Sequence, residues 1–371
     1  MNRSSAETWS LRRRLVGKIL STFFGRPPKR PRLKPEEVHR ILLFRHDRLG
    51  DYVVTTPLIE AIREHIPEAT IDVLASPVNA DFIRQDPRIN DVIVWKKSIP
   101  GRLRVIRTCR KRNYDLTLQL VTRHTTTPAI LASLCTPNGR VIGRGHSYNN
   151  GLFDHLARRT DDHMAEQTFY IFADALDFGE EIAMPSYALP LDPEMDRATI
   201  AMLRRNKLEE ERYILLNLSA SESYRALGIG KSIELAQKLR EQFEPRGMRV
   251  ALMGAPEDNE KVRTVAEESG ATAIRFSSVL AVASGIRHAC ILISPDTGPV
   301  HFASAVGTPV VAYYAEHGKP SKWRPLGVPN RVVLTQVDKS GEDVDVDEVV
   351  AATESLYFEG SSSTEIKKAT T

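Results

Sequence analysis

The sequence predicts an α/β fold of two Rossmann-like domains, each a doubly wound parallel sheet. Three observations lead to this prediction. The 371 residues suffice for two domains at roughly 150 residues each. Short β-branched runs alternate with amphipathic stretches, which is typical of parallel strands joined by crossover helices. A cluster of prolines, Pro185, Pro190 and Pro193, interrupts this alternation and indicates a hinge near residue 190.

The elements follow one another in two series. The first series predicts strands at 41–44, 71–74, 91–95 and 116–120, with helices at 56–65 and 103–112. The second predicts strands at 213–217, 249–253, 289–293 and 309–312. We therefore expect an arm at 1–35, a first domain at 36–190, a second domain at 191–345, and a final segment at 346–371. That last segment is predicted to end in a frayed polar tail from Ser361 onward.

Ligands of such sheets bind beyond the carboxyl ends of the strands. The residues that directly follow Phe44, Leu218, Met253 and Ile293 are therefore expected to face a cleft between the domains.

The composition excludes several classes of protein. Hydrophobic residues make up 42% and charged residues 26% of the chain, as in globular proteins rather than collagen-like or disordered ones. No uncharged apolar run approaches the ~18 residues of a membrane-spanning helix. The three cysteines are too few and too far apart for a disulfide framework or a CxxC metal site. A reducing cytosol is the simplest compartment for such a chain.

The charge is unevenly distributed. The net charge is +4, yet residues 1–40 contain eleven Lys/Arg and three Asp/Glu and so carry +8, which leaves −4 for the rest. The helical wheel of residues 9–24 gathers Trp9, Leu15, Ile19 and Phe23 on one side. A basic amphipathic helix of this kind is typical of segments that lie on an anionic membrane. The alternative is a helix docked on the protein itself or on a partner, followed by a Pro-rich linker.

The first candidate site follows the first strand, at residues 45–51. Asp51 can serve as a general base that deprotonates a sugar hydroxyl, or simply as the N-cap of the next helix. Arg45 and Arg48 can hold a phosphate or carboxylate of an acceptor, or be solvated. Gly50 permits a close backbone approach or an unusual dihedral angle.

The second candidate site follows the strand that ends at Ile293. Asp296, Thr297, Gly298 and Pro299 form a turn and a helix start, where backbone N–H groups can bind a diphosphate. Asp296 can equally be a structural cap. His301, one turn further on, can be a ligand contact or a core histidine.

Two further loops extend this candidate donor site. The loop 217–225 supplies Ser219, Ser221 and Arg225, a set suited to the charge of a departing nucleoside diphosphate, although polar loops with several serines are common. The loop after Met253 contains Gly254 and also Asp258, which can bind a ribose hydroxyl or cap the following helix.

A metal site is not expected. The alternation of Asp343, Asp345 and Asp347 directly precedes an apolar helix, which favours helix capping over a DxD metal motif. Neither Cys/His ligand spacings nor a Walker lysine occur.

Two motifs carry a resemblance to a known family. They read ILLFRHDRLGDYVVTTPL at 41–58 and SPDTGPVHFASAVGTP at 294–309. Together they resemble the heptosyltransferases, glycosyltransferase family nine, over residues 38–358. The family usually has Lys or Arg followed by Trp-Pro in its phosphate loop, where this chain has Tyr224, Arg225, Ala226 and Leu227.

The resemblance implies a GT-B fold in which the second domain binds the donor, the first binds the acceptor, and the last helix crosses back. It implies inverting, metal-independent transfer, typically of heptose from ADP-heptose, onto the inner core of lipopolysaccharide at the cytoplasmic face of the inner membrane. Asp51 then falls on the general base. Asp296, Thr297, Gly298 and His301 fall on the donor signature, and Asp258 on a ribose-contacting position. No cofactor is implied beyond the nucleotide-sugar substrate.

Other functions remain open. A GT-B sugar-nucleotide epimerase or hydrolase is one rival, although we would expect more carboxylates and histidines in its cleft. A non-catalytic GT-B scaffold, or a protein whose basic arm binds nucleic acid, is another. The charge of −4 outside the arm argues against a broad phosphate-binding surface.

Overall fold

The computed structural model describes residues 22, 25–26, 30–96, 98–121, 126–145 and 149–369, with the backbone alone from 360 onward. The chain divides into two compact units between Pro185 and Ser186. The amphipathic helix predicted for residues 9–24 lies almost entirely outside the described residues.

The first unit is a six-stranded parallel sheet with flanking helices. Its strands are β1 (Arg40–Arg45), β2 (Thr70–Ala75), β3 (Asp91–Val94), β4 (Leu116–Gln119), β5 (Arg140–Gly143) and β6 (His155–Leu156). Its helices are α1 (Leu49–Val53), α2 (Thr56–His65), α3 (Ala80–Ile83), α4 (Ile99–Arg112), α5 (Thr127–Cys135) and α6 (Met164–Ala173). The strand order is 3-2-1-4-5-6, as in a Rossmann sheet.

The second unit repeats this topology. Its strands are β7 (Tyr213–Asn217), β8 (Arg249–Met253), β9 (Thr272–Ala273), β10 (Ile291–Pro295), β11 (Val310–Tyr314) and β12 (Asn330–Leu334). Its helices are α7 (Pro193–Arg205), α8 (Ile229–Phe243), α9 (Asn259–Ser269), α10 (Val279–Arg287), α11 (Gly298–Val306), α12 (Pro320–Trp323) and α13 (Val346–Ala369). The order β12-β11-β10-β7-β8-β9 again places the first and fourth strands of the unit side by side.

The central strands are buried on both faces, which explains their apolar sequences. In β1 every residue after Arg40 is buried, and Ile41 pairs with Ile71 of β2 on one side and with Leu116 of β4 on the other. In the second unit Leu215 pairs with Ala251 and Leu292. The predicted α/β fold with two parallel sheets is confirmed.

The last helix, α13, packs on the second unit, and its predicted crossing to the first domain stays a prediction. Val349 and Leu356 on its apolar stripe are buried in the core of the second unit, and its Tyr357 ring lies 5.6 Å from Phe243 of α8. The backbone of this helix is described to Ala369, and the frayed tail from Ser361 stays a prediction.

The segment before the first strand is docked on the first unit. Arg26 Nε lies 2.6 Å from Asp154 Oδ2, and both side chains are almost fully buried. Arg26 also donates to the carbonyl of Thr136 at 2.7 Å, and Leu33 forms a parallel bridge with Leu176. The Pro-rich stretch is therefore part of the folded unit where it is described, rather than a linker.

The strand order reverses direction at one point in each sheet. In the first unit this switch point lies between β1 and β4, and in the second between β7 and β10. Crevices for ligands form at the carboxyl ends of strands at such points. The predicted sites at 45–51, 217–225 and 296–301 all follow strands that flank a switch point.

Candidate functional site

Asn217 organises the switch point of the second unit. It is the last residue of β7 and is buried. Its Nδ2 atom donates to Ser294 Oγ at 3.0 Å, to the Ser219 carbonyl at 3.0 Å and to Thr297 Oγ1 at 3.3 Å. Its Oδ1 atom accepts from the Ser219 amide at 3.2 Å. One carboxamide thus fixes the loop after β7 against the turn after β10, a role that the sequence analysis did not assign.

The turn after β10 leads directly into helix α11. Thr297 is the N-cap residue and Gly298 the first helical residue, so Asp296 is not the cap that was considered as an alternative. Pro299 has no N–H, and the Val300 amide donates to the Thr297 carbonyl at 3.1 Å. The amides of Thr297 and Gly298 are therefore the donors that this helix start offers to an anion.

Arg225 stands beside this turn in a shell of acidic and aromatic groups. Its Nη2 atom donates to Glu316 Oε1 at 2.6 Å, and its Nη1 atom lies 3.5 Å from Asp296 Oδ2. The guanidinium also lies over the Tyr224 ring, 5.5 Å from its centroid. Burial lowers the pKa of Arg225, but the bond to Tyr224 and the charges of Asp296 and Glu316 outweigh it, so that the pKa is raised.

Glu316 is a site residue that sequence reasoning missed. It accepts from Tyr224 Oη at 2.8 Å as well as from Arg225. Burial raises the pKa of its carboxyl, yet the bond from Tyr224 and the charges of Lys319 and Arg225 lower it overall. The signal for this residue was its place just after the predicted strand at 309–312.

The loop after β8 contacts the loop after β7 at the carboxyl-terminal edge of the second sheet. Ser219 Oγ accepts from the Ala255 amide at 2.7 Å. A Cβ atom at Gly254 would lie 2.9 Å from that Oγ and 2.7 Å from Val262 Cγ2. Glycine is therefore needed here because of close packing.

Asp258 and a neighbouring lysine lie at the start of α9. Asp258 occupies the N-cap position, but its side chain makes no capping hydrogen bond. Lys261 was not predicted. Its Nζ atom donates to the Leu218 carbonyl at 2.9 Å and also to the Leu227 carbonyl, and burial lowers its pKa. Lys261 thus fixes the backbone of the loop 218–227 at both of its ends.

The two remaining predicted donor residues differ in exposure. Ser221 is exposed in the middle of the loop 217–225. His301 is buried in α11, and its ring centroid lies 5.7 Å from that of Trp323. The family's loop tryptophan is absent here, but Trp323 of α12 places an indole in this part of the unit.

In the first unit, Arg45 is paired with a carboxylate of the loop that follows it. It is buried at the end of β1, and its Nη1 atom lies 2.8 Å from Asp47 Oδ2. The side-chain Nδ2 atom of Asn79 donates to the Arg45 carbonyl at 2.9 Å. Asp47 thus takes one N–H group of the guanidinium, and the role of Arg45 in holding an acceptor anion stays a prediction.

Asp51 lies on α1 at its third residue. Its Oδ2 atom accepts from the Arg48 amide at 3.2 Å, so Arg48, not Asp51, is the N-cap. Asp51 contributes the return bond of a capping box while its side chain stays partly exposed. The Arg48 side chain is exposed, and Gly50 lies inside the helix without a positive φ angle. The unusual dihedral considered for Gly50 is thus not found.

A buried network anchors the helix that carries Asp51. Tyr52 Oη donates to Asp86 Oδ2 at 2.8 Å. Arg88 pairs with Asp86 at 2.6 Å and also contacts Glu60 of α2. The position of α1 is therefore fixed by a charge-assisted chain of hydrogen bonds.

Asp47 is a second carboxylate in this loop. Burial raises its pKa to about 6, opposed by the charge of Arg45 and reinforced by that of Asp51. The desolvation of Asp47 thus outweighs its ion pair, although the pair is short. The charge of Asp51 is thus one of the causes that hold the pKa of Asp47 above its ordinary value.

The acidic alternation near the last helix serves as a cap. Asp345 Oδ1 accepts from the amides of Asp347 at 3.0 Å and Glu348 at 3.2 Å. Within the described residues, no group of three or more His, Cys, Asp or Glu side chains is arranged to hold a metal ion. Of the helices described, none is both long and apolar enough to cross a bilayer.

Comparison with known proteins places this arrangement in a family. The family model for glycosyltransferase family 9 (heptosyltransferase) matches residues 102–349. Lipopolysaccharide heptosyltransferase 3 of Escherichia coli K12 is 25% identical over 348 residues, covering 84% of this chain and 96% of the relative.

Solved structures agree on the fold. A family 9 glycosyl transferase from Veillonella parvula superposes with a TM-score of 0.72 at 19% identity, covering 86% of this chain and 97% of the other. The ADP-heptose lipopolysaccharide heptosyltransferase II of E. coli gives 0.69 at 20% identity, with 87% and 99% covered. The GT-B fold expected from the two motifs is thereby confirmed.

Proposed function

Because the chain belongs to glycosyltransferase family 9, the heptosyltransferases, we propose that it transfers heptose from ADP-heptose to the core of lipopolysaccharide. Family membership confirms the resemblance carried by the two sequence motifs, and it makes the chain a glycosyltransferase. It does not favour the epimerase, hydrolase or scaffold alternatives. The donor, the acceptor and the roles of individual residues are our proposals.

The observation that carries the donor assignment is the set of anion-binding groups at the second unit's switch point. Arg225 and the amides of Thr297 and Gly298 flank Asn217, which joins the two loops. A guanidinium and a helix start together suit a diphosphate. Asp258, whose carboxylate makes no capping bond, is available for a ribose hydroxyl.

We assign the acceptor chemistry to Asp51. Its carboxylate takes the proton of the acceptor hydroxyl while that oxygen forms a bond to the anomeric carbon of heptose. The bond from this carbon to the diphosphate oxygen breaks at the same time, so the configuration inverts and ADP departs. Asp51 suits this role because its side chain is partly exposed and α1 is anchored through Tyr52.

We assign the stabilisation of the negative charge that builds on the leaving diphosphate to three sets of groups. Arg225 is already charged and half-buried, and its partners Glu316 and Tyr224 hold it in place. The amides of Thr297 and Gly298, at the start of α11, are fixed donors that need no reorganisation. Ser219 adds a hydroxyl that is held by the Ala255 amide. Since these groups carry the charge, we expect transfer to persist after treatment with a metal chelator.

We further propose that the protein acts at the cytoplasmic face of the inner membrane, where the arm at 1–35 contacts anionic lipid. The proposal follows from the arm's charge of +8 over residues 1–40 and from the lipid anchor of the acceptor implied by the family.

The donor proposal is tested by ligand-induced thermal stabilisation. ADP-heptose should raise the melting temperature of the wild-type protein, since a ligand that binds only the native state stabilises it by mass action. UDP- and GDP-sugars should have little effect. The absence of a shift with any nucleotide sugar would contradict the proposal.

A matched pair of arginine variants sharpens this test. Arg225→Ala should abolish most of the stabilisation. Arg246→Ala is the control, because Arg246 also stacks 5.5 Å over an aromatic ring and pairs with a glutamate, but on the side of α8 and α13. Equal loss in both variants would show that the effect is not specific to the donor edge.

A further inference from the structure

Helix α4 presents a basic outer face that takes no part in the proposed chemistry. This face consists of Ile99, Arg102, Leu103, Arg104 and Arg107, and we call it the α4 face. Its aliphatic members are among the most exposed in the described chain, Ile99 at 74% and Leu103 at 49%. The three arginines are exposed as well.

The opposite side of the helix is what packs against the protein. Val105 and Cys109 are buried in the core of the first unit. Arg112, at the end of the helix, pairs with Asp72 at 2.6 Å and also with Asp91. The α4 face is therefore not needed to hold the helix in place.

The charge of this face is uncompensated. The helix sequence IPGRLRVIRTCRKR contains six cationic residues and no acidic one. Among the described residues, no carboxylate lies within ion-pair distance of Arg102, Arg104 or Arg107, whereas Arg112 has two such partners. A surface with this charge attracts an anionic partner.

The combination of groups identifies the partner. Two exposed aliphatic side chains lie along the centre of the face, with arginines on both sides. This is the arrangement of a helix that lies in a bilayer interface, with its apolar groups among the acyl chains and its cations at the headgroups. A single-stranded nucleic acid would instead call for aromatic stacking platforms, and the face has none.

The α4 face begins near the edge of the first sheet that carries the candidate base. Trp95, just after β3, packs on His46 in the loop after β1, with ring centroids 4.3 Å apart. Helix α4 starts four residues after Trp95, so Ile99 and Leu103 lie toward the same sheet edge as Asp51.

We propose that the α4 face docks the first unit on an anionic lipid bilayer, independently of the N-terminal arm. This inference does not depend on the identity of the donor or on Asp51 as the base. It adds a second membrane contact within the folded unit, which fixes how that unit is oriented on the surface.

The test is co-sedimentation of the full chain with phosphatidylcholine vesicles, with and without phosphatidylglycerol. Two backgrounds separate the two contacts: the wild-type chain, and a chain with Arg12→Gln, Arg13→Gln and Arg14→Gln in the arm. In each, Arg102→Gln, Arg104→Gln and Arg107→Gln are introduced together. Each neutralised arginine should weaken partitioning about fivefold, or ~100-fold for the three.

The control removes the same charge elsewhere. Lys207→Gln, Arg212→Gln and Arg249→Gln change three exposed cations of the second unit. They should leave partitioning within about twofold of the parent chain, since they are not part of the α4 face and an exposed charge acts only over about a Debye length. Leu103→Ser tests the apolar contribution at constant charge and should also weaken binding. Unchanged thermal unfolding would show that these exposed substitutions keep the fold.

Several results would overturn the proposal. Complete loss of vesicle binding by the arm-neutralised chain with an intact α4 face is one. Another is an equal loss of vesicle binding in the α4 triple variant and in the control triple variant. Binding to RNA that depends on the three arginines, without binding to anionic vesicles, would assign the face to nucleic acid instead.

Discussion

Asn217 donates a hydrogen bond to Ser294 Oγ at 3.0 Å and thereby joins the end of β7 to the end of β10. These two strands flank the point where the strand order of the second sheet reverses. The two loops that we assign to the diphosphate are thus held by one buried carboxamide.

Replacing Asn217 should weaken donor binding by more than the loss of folding stability alone would explain. Asn217→Ala removes the partner of the Ser219 amide and carbonyl and of the Ser294 and Thr297 hydroxyls. Leaving even one such buried group unsatisfied costs about 1–3 kcal/mol of folding free energy. We expect ADP-heptose affinity to fall ~tenfold or more, as measured by calorimetry. Asn330→Ala is the control, because Asn330 makes a local bond to the Val328 carbonyl in the edge strand. Unchanged donor affinity in Asn217→Ala would contradict this role.

Asp51→Asn should separate chemistry from folding. An asparagine oxygen can still accept the Arg48 amide, so the capping box is retained. Loss of the general base should lower kcat ~10³-fold with donor affinity and unfolding unchanged. Asp81→Asn, an exposed carboxylate on α3 paired with Arg84, should have full activity. Full activity of Asp51→Asn, together with an inactive Asp47→Asn, would move the base to Asp47.

The raised pKa of Asp47 predicts a pH dependence of stability. Its pKa is about 6 in the native state against 3.8 ordinarily, so the native state keeps a proton that the unfolded chain has released. This contribution is fully present below pH 3.8 and is lost as the pH rises through about 6.

The difference in unfolding free energy between wild type and Asp47→Asn should therefore fall by on the order of 2 kcal/mol between about pH 4 and pH 7. Denaturant titrations followed by Trp95 fluorescence, in a background with Trp9→Phe and Trp323→Phe, report on the first unit, since Trp95 packs beside this loop. A difference that is constant with pH would show that the native state does not raise the pKa of Asp47.

Arg26→Ala should destabilise the first unit, although residue 26 lies outside both sheets. It leaves the buried Asp154 with Arg30, 3.6 Å away, as its remaining ion-pair partner among the described residues. We expect a loss of about 3 kcal/mol, because removing one partner of a buried ion pair strands the other. Arg30→Ala removes a more exposed partner and should cost less than ~1 kcal/mol. If both variants lose equally little unfolding free energy in urea denaturation, the Arg26 pair does not stabilise the first unit.

Much of the fold was predictable because the central strands are continuous apolar runs. The strands β1, β2, β7 and β8 coincide with the predictions within a residue or two. The strands β5, β6, β9 and β12 were missed for physical reasons. The strands β6 and β9 span two residues each, β5 begins with Arg140 and ends with Gly143, and β12 is a half-exposed edge strand.

The site was predictable in place but not in detail. The loops after β1, β7, β8 and β10 were identified from their position at strand ends. Glu316 was missed because β11 runs two residues beyond the predicted strand and so places it at the edge. The pairing of Arg45 with Asp47 and of Arg26 with Asp154 depends on tertiary packing, which residue spacing does not encode.

The docking of Arg26 also orders events during synthesis. Its carbonyl partner Thr136 lies 110 residues further along the chain, and Asp154 is later still. At ~10 residues per second, a ribosome needs about ten seconds to deliver these partners after Arg26. During that interval Arg26 has neither partner, so a segment that is synthesised before β1 is among the last parts of the first unit to dock.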